Sequence, residues 1–228
     1  MPRHVDQAYD RIRQSLLRMG GLVEEMIDNA HRALTERDTD LAHRVIQSDR
    51  AVDDTEKTVD EACHTILALK QPAAVDLRFL VAVMKITTDL ERIGDLAANI
   101  ARSVRDLNKQ PPVPTYGDVG VLFVSARRMV KESLDAFVHR DADLALEVWK
   151  RDDEIDEAYR QFFAHLIEAS QQDPKHVPPT FQLILIGRSL ERIADHATNI
   201  AEDVIYFVRG RDIRHAETDY DGDKEANS

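Results

Sequence analysis

The sequence predicts an all-α protein: two tandem three-helix bundles related by internal duplication, with six long helices in all. Three observations predict it. First, 228 residues contain only 8 glycines and 8 prolines, about 7% where roughly 12% is usual, so the chain makes few turns. Second, apolar residues recur at helical period through six long segments. Third, the second half repeats the first. Glu91-Arg-Ile-Gly-Asp95-Leu-Ala-Ala-Asn99-Ile-Ala101 returns as Glu191-Arg-Ile-Ala-Asp195-His-Ala-Thr-Asn199-Ile-Ala201. Upstream, Asp38-Thr-Asp-Leu-Ala42 returns as Asp141-Ala-Asp-Leu-Ala145, and in the same register Asp49-x-x-x-Asp53 returns as Asp152-x-x-x-Asp156.

The first helix is expected over about 5–36, on the stripe Ile12, Leu16, Met19, Val23, Met26, Ile27, Ala30 and Leu34. A second opens at the acidic Asp38-Thr-Asp40 and runs to about residue 70. Its stripe steps by four and three through Leu41, Val45, Ser48, Val52, Thr55, Val59, Ala62, Ile66 and Leu69. Gln71-Pro72 marks a turn, because proline suits a first helical turn. The third helix, about 73–108, keeps an equally regular seam of Ile86, Leu90, Ile93, Ala97, Ile100, Val104 and Leu107. These three make a first bundle over 1–108. Three prolines and a glycine in 109–117 break the pattern and read as a linker. The second bundle, 118–210, holds helices over about 118–139, 141–170 and 179–209, and short loops make neighbours antiparallel. Residues 211–228 have almost no apolar content and read as a disordered acidic tail.

Acids outnumber bases by 42 to 30, a formal charge of −12. That balance argues against nucleic acid or anionic lipid as a partner, since both demand a basic face. Cys63 is the only cysteine, which excludes an intramolecular disulfide and a CxxC site. The first 17 residues carry five charged side chains and no apolar core of a signal peptide. No apolar run approaches the ~20 residues of a membrane span. A soluble, cytoplasmic protein is expected.

Chemistry concentrates in the duplicated acids. Each half carries two acid-x-x-x-acid pairs, Asp49/Asp53 with Glu91/Asp95 and Asp152/Asp156 with Glu191/Asp195. Four residues apart on a helix, two carboxylates share one face and repel by a few tenths of a kcal/mol. The core seam of the third helix passes through Leu90, Ile93 and Ala97, so Glu91 and Asp95 should point outward. Asp49 and Asp53 should lie at the flank of the Ser48–Val52 seam. Antiparallel neighbours would then gather four carboxylates in an outer groove, a donor set for Mg²⁺, Mn²⁺, Ca²⁺ or iron. Acids so spaced are also ordinary on a solvated helix face, and Arg92 and Arg192 could pair with them weakly. The duplication favours use: a bundle that had only to keep its core would retain seam residues and let outer ones drift.

Other signals are weaker. Glu61-x-x-His64 has the spacing used in di-iron bundles, which need two such motifs, and only one is present. His196 could join a metal site beside Asp195, but its counterpart is Leu96. No phosphate-binding loop, dinucleotide fingerprint or nucleophilic triad is found, and an enzyme or metal-storage protein using the carboxylates is disfavoured because outer-face acids give a wet, open site.

Gln71-Pro-Ala-Ala-Val-Asp-Leu-Arg78, with Thr88-Asp-Leu-Glu-Arg-Ile-Gly-Asp-Leu-Ala-Ala-Asn-Ile100, resembles the PhoU family, accessory and regulatory proteins of bacterial phosphate-specific transport. The resemblance runs from Met19-Gly-Gly-Leu-Val23 to Ile205-Tyr-Phe-Val-Arg-Gly210. It implies a non-enzymatic negative regulator of the phosphate-starvation response, touching the ATPase subunit of a phosphate ABC transporter and a sensor histidine kinase. It also implies metal clusters, iron or zinc among others, on Asp49, Asp53, Glu91, Asp95, Asp152, Asp156, Glu191 and Asp195. A homodimer is expected. In the second half, Lys175-His-Val-Pro-Pro-Thr stands where Asp-Leu-Arg would recur, so the two halves are not equivalent there.

Overall fold

The structure, a computed structural model, describes residues 3–70, 72–112 and 119–211, with the side chains of 3–6 and 70 excepted. Residues 113–117 of the expected linker, the first residue of the expected second bundle and all but the first residue of the expected tail lie outside the described residues. The described chain is helical throughout and holds no strand. Its helices are α1 (Arg3–Thr35), α2 (Thr39–Lys70), α3 (Ala74–Leu107), α4 (Val119–His139), α5 (Ala142–Lys150), α6 (Asp152–Gln172) and α7 (Val177–Arg209). The first and third seams are buried as expected, whereas the second ends at Ile66, and Leu69 is 72% exposed.

Two boundaries differ from the sequence reading. The fifth segment is broken at Arg151, which ends α5 and begins α6. Its N–H turns back to Val148 O rather than continuing the i−4 ladder, while its guanidinium pairs with Glu132 on α4 and Glu147. Asp152, Asp153 and Glu154 then supply the negative first turn that starts a new helix. The last helix opens at Val177, earlier than expected, because Pro178 and Pro179 fit its first turn, where their missing N–H groups have no partner to lose.

The turns explain part of the duplicated sequence. Arg37 and Arg140 both adopt positive φ, 54° and 53°, after α1 and α4. The N–H of Asp38 reaches Ala33 O and that of Asp141 reaches Ala136 O, so both turns close as Schellman motifs. Each aspartate then caps the next helix, Asp38 Oδ1 accepting from Leu41 N at 2.8 Å and Asp141 Oδ1 from Leu144 N at 3.0 Å. The repeated Arg-Asp-x-Asp-Leu-Ala is thus structural punctuation.

The two halves share one core rather than standing apart. α3 packs along α7, the most extensive pairing among the described helices, and α1 packs on α4. Lys85 Nζ donates to Asp203 Oδ1 at 2.7 Å, and Asp89 accepts from Asn199, so α3 and α7 run antiparallel. At one end of this seam Phe79, Phe137 and Phe207 form a three-ring cluster with centroids 5.8–5.9 Å apart, and Tyr9 meets Phe79 edge-on. Arg13 and Arg140 lie over the Phe79 and Phe207 rings. Between α1 and α4, Arg127 pairs with Asp28 at 2.8 Å, His31 stacks on Phe123, and Gly20 lies tight against Leu134.

Candidate metal centres

The duplicated acids fall at two equivalent places, the α2–α3 seam and the α6–α7 seam. In the second half the helices come close because residue 187 is glycine. A Cβ there would lie 2.8 Å from Phe162 Cε1 and 3.1 Å from Tyr159 Cε2. Phe162 is buried and cannot swing away. Gly187→Ala is therefore expected to destabilise by about 1–2 kcal/mol, overpacking outweighing the gain of about 1 kcal/mol in helix propensity. Denaturant unfolding checks it, and a stabilised variant would contradict the close approach.

This approach brings Asp152 and Asp156 on α6 to Glu191 and Asp195 on α7. Asp156, Glu191 and Asp195 each offer a carboxylate oxygen, all within 4.8 Å of one another. Three oxygens so placed lie no more than about 2.8 Å from a common centre, a small side-chain adjustment from Ca²⁺–O or Mn²⁺–O bonding. Asp152 stands beside them, held by Thr198 Oγ1 at 3.1 Å. Burial first, then the neighbouring carboxylates, pushes the Glu191 and Asp195 carboxyls above the usual range. Asp152 is raised by burial too, against the Thr198 hydrogen bond.

Glu191 corrects the expectation that these acids point outward, being only 9% exposed. Arg188 Nη1 donates to its Oε1 at 2.5 Å, while Oε2 is buried without a hydrogen-bond partner. An orphaned buried carboxylate oxygen costs free energy unless something fills its place. Asp195 is exposed, and the other six acids are half-buried. They line the edges of helix seams rather than an open face.

In the first half, Asp49 is the most strongly perturbed carboxyl, raised to about 6 by burial, then by Asp95 and Asp53, with Arg102 opposing. Its Oδ1 is also buried without a partner, 3.4 Å from where a Gly94 Cβ would sit. Burial likewise raises Glu91. Arg92 stands between the α3 acids, its Nε 3.4 Å from Glu91 Oε2 and its Nη1 3.8 Å from Asp95 Oδ2. Among the described residues, three carboxylate oxygens converge within 4.8 Å only in the second half.

Residues outside the duplicated pairs also take part. Glu56 lies in the field of Asp53 and Glu91. Its counterpart in the repeat is Tyr159, so the duplication gave no signal for it. Thr198 and Arg188 replace Ala98 and Thr88 of the first half. His196 does not turn to the acids: its Nδ1 lies 2.8 Å from Asp89 Oδ1 on α3, tying the halves together. His64 is exposed. Burial pushes the Cys63 thiol up to about 12, which leaves it unreactive at neutral pH.

The clusters are oxygen-only, which suits hard divalent cations or iron, and the two orphaned carboxylate oxygens, on Asp49 and Glu191, belong to the expected ligand set. The donor set therefore fits a metal. The PhoU domain family matches the chain twice, over residues 16–104 and 122–204. The chain belongs to the PhoU family. Each PhoU match encloses one acidic cluster. The phosphate-specific transport system accessory protein PhoU homolog of Pseudomonas putida is 42% identical over 94% of this chain and 86% of its own length. The accessory protein PhoU of Escherichia coli K12 is 35% identical over 90% and 86%. The crystal structure of PhoU from Pseudomonas aeruginosa superposes with a TM-score of 0.87 at 41% identity, covering 90% of this chain and 99% of that one. The phosphate transport system regulatory protein PhoU from Streptococcus pneumoniae gives 0.83 at 30%, covering 90% and 97%. As in the sequence reading, the PhoU fold here is all-α, and none of its described helices is long and apolar enough to cross a membrane.

Proposed function

We propose that this chain is a cytoplasmic regulator of phosphate uptake, acting by contact with the ATPase subunit of a phosphate ABC transporter and with a sensor histidine kinase. In this reading it represses the phosphate-starvation response when phosphate is plentiful, and Asp49, Asp53, Glu91, Asp95, Asp152, Asp156, Glu191 and Asp195 hold metal ions in two centres. The regulatory part is supported by the names of relatives as transport accessory and regulatory proteins. The metal part is supported by one observation above others: Asp156, Glu191 and Asp195 converge, with Glu191 Oε2 buried and unpartnered.

Chemically, a bound cation would neutralise carboxylates whose mutual repulsion the fold otherwise has to bear. Metal would then stabilise the seam between α6 and α7, and the equivalent seam in the first half. Two measurements test the reading. Removing the gene should leave phosphatase expression constitutive in high phosphate, and an unchanged phosphate response would refute regulation. Glu191→Gln with Asp195→Asn should lower the metal content of the purified protein while helical circular dichroism stays at wild-type level. Equal metal content in variant and wild type would refute the site.

A further inference from the structure

We infer that the two centres load in order, the second half first, and that Arg92 acts as a resident counter-ion that weakens metal binding in the first half. This rests on the metal reading and adds an asymmetry that the sequence repeat conceals, because Glu-Arg-Ile-x-Asp carries the same arginine in both copies.

The halves use that arginine differently. Arg92 bridges Glu91 and Asp95, and Arg102 adds a second positive field on Asp49. A cation arriving there must displace or share the acids with a guanidinium. In the second half Arg192, exposed like Arg92, makes no ion pair among the described residues and adds only a positive field on Asp195, which converges with Asp156 and Glu191. The one arginine bonded to that centre, Arg188, takes Glu191 through Oε1 and leaves the buried Oε2 free. Thr198 fixes the Oδ1 of Asp152. Ligands already gathered around an open, buried oxygen bind with less reorganisation than ligands that do not converge.

Composition sharpens the difference. Glu56 lies in the field of Glu91 and Asp53 where the second half has Tyr159, which packs at Gly187. The second centre is compact, with three carboxylate oxygens within 4.8 Å of one another. The first carries its own partial neutralisation in Arg92, set between Glu91 and Asp95.

The test is a calorimetric titration of chelator-treated, full-length protein with Mn²⁺. Two phases are expected, separated by about tenfold or more in affinity. Glu191→Gln with Asp195→Asn should remove the tight phase, and Glu91→Gln with Asp95→Asn the weak one. Arg92→Gln should strengthen the weak phase about 3- to 10-fold, the effect of one nearby charge at a partly exposed site, and leave the tight phase unmoved. Arg92→Lys, which keeps the charge, should stay near wild type. A single class of sites, a tight phase lost with the first-half acids, or no response to Arg92→Gln would overturn the ordering while leaving metal binding intact. No Mn²⁺ binding by either half would overturn the metal reading itself and the ordering with it.

Discussion

Phe79→Ala is expected to cost about 3–5 kcal/mol of folding stability, the usual range for deleting a buried phenyl ring. In a chain of this size that corresponds to a fall of roughly 10 °C in melting temperature. Phe79 is where four helices meet: its ring touches Tyr9 of α1, Phe137 of α4 and Phe207 of α7 from its own place on α3. Its loss leaves a cavity between the two halves and takes with it the aromatic edge-to-face contacts and the Arg13 cation–π contact, each worth a further fraction of a kcal/mol to about 1 kcal/mol. Phe181→Ala is the control, since that ring is 58% exposed and its removal should move the melting point by no more than about 2 °C. Thermal unfolding followed by circular dichroism distinguishes them. Equal shifts would mean that the shared core is not what holds the halves together.

The second large effect is on pH dependence. Metal-free protein is expected to become more stable as pH falls from about 7 toward 4, the reverse of ordinary acid denaturation. The sign follows from Asp49. Its carboxyl is raised from 3.8 to about 6 in the folded chain, so between those values the folded state binds more protons than the unfolded one. Its favourable contribution is complete below 3.8 and is lost as pH rises through about 6. A shift of this size corresponds to about 3 kcal/mol at 1.36 kcal/mol per unit, reduced by solvent screening to nearer 1–2 kcal/mol because the carboxylate is only half-buried. Glu91, Asp152, Glu191 and Asp195 are raised in the same direction. Urea unfolding between pH 4.5 and 7.5 in chelator measures the slope. Asp49→Asn should flatten it, and added divalent metal should raise stability most at the upper end. A metal-free protein that gains stability steadily toward pH 7.5 would contradict the crowding of these acids.

Much of this fold was readable from spacing alone, because a long amphipathic helix announces its buried stripe residue by residue. The packing of the halves on each other was readable too, though less directly. α3 is apolar well beyond its seam, with Leu96, Ala98 and Ala101 buried as well as Ile93 and Ala97. A helix so nearly apolar all round must be covered on more than one side, and α7 is the cover. The break at Arg151 left no such trace, since Val148 and Ile155 keep the helical spacing across it and the cause is a contact with Glu132 on another helix. For the acidic clusters, spacing places each pair on one face of one helix. How deeply Glu191 sinks depends on how near α6 comes, and that distance is set by Gly187 against Phe162. Side-chain depth at a helix seam belongs to two helices at once, so no single helix pattern contains it.

The pairing of α1 with α4 has a consequence for how copies of this chain avoid one another. In the register of the repeat, Arg127 is the counterpart of Glu24, Lys131 of Asp28, Phe123 of Gly20 and Leu134 of His31. The observed pairs cross these over: Asp28 meets Arg127, Glu24 lies in the field of Arg127 and Lys131, His31 stacks on Phe123, and Gly20 receives Leu134. Two first halves docked about the same axis would set Glu24 against Asp28 twice and face Gly20 with His31. Two second halves would set Arg127 against Lys131 and crowd Phe123 onto Leu134. Like repels like in both charge and volume, and only the unlike match closes the interface. The α1–α4 interface therefore selects a first half against a second half over two copies of either.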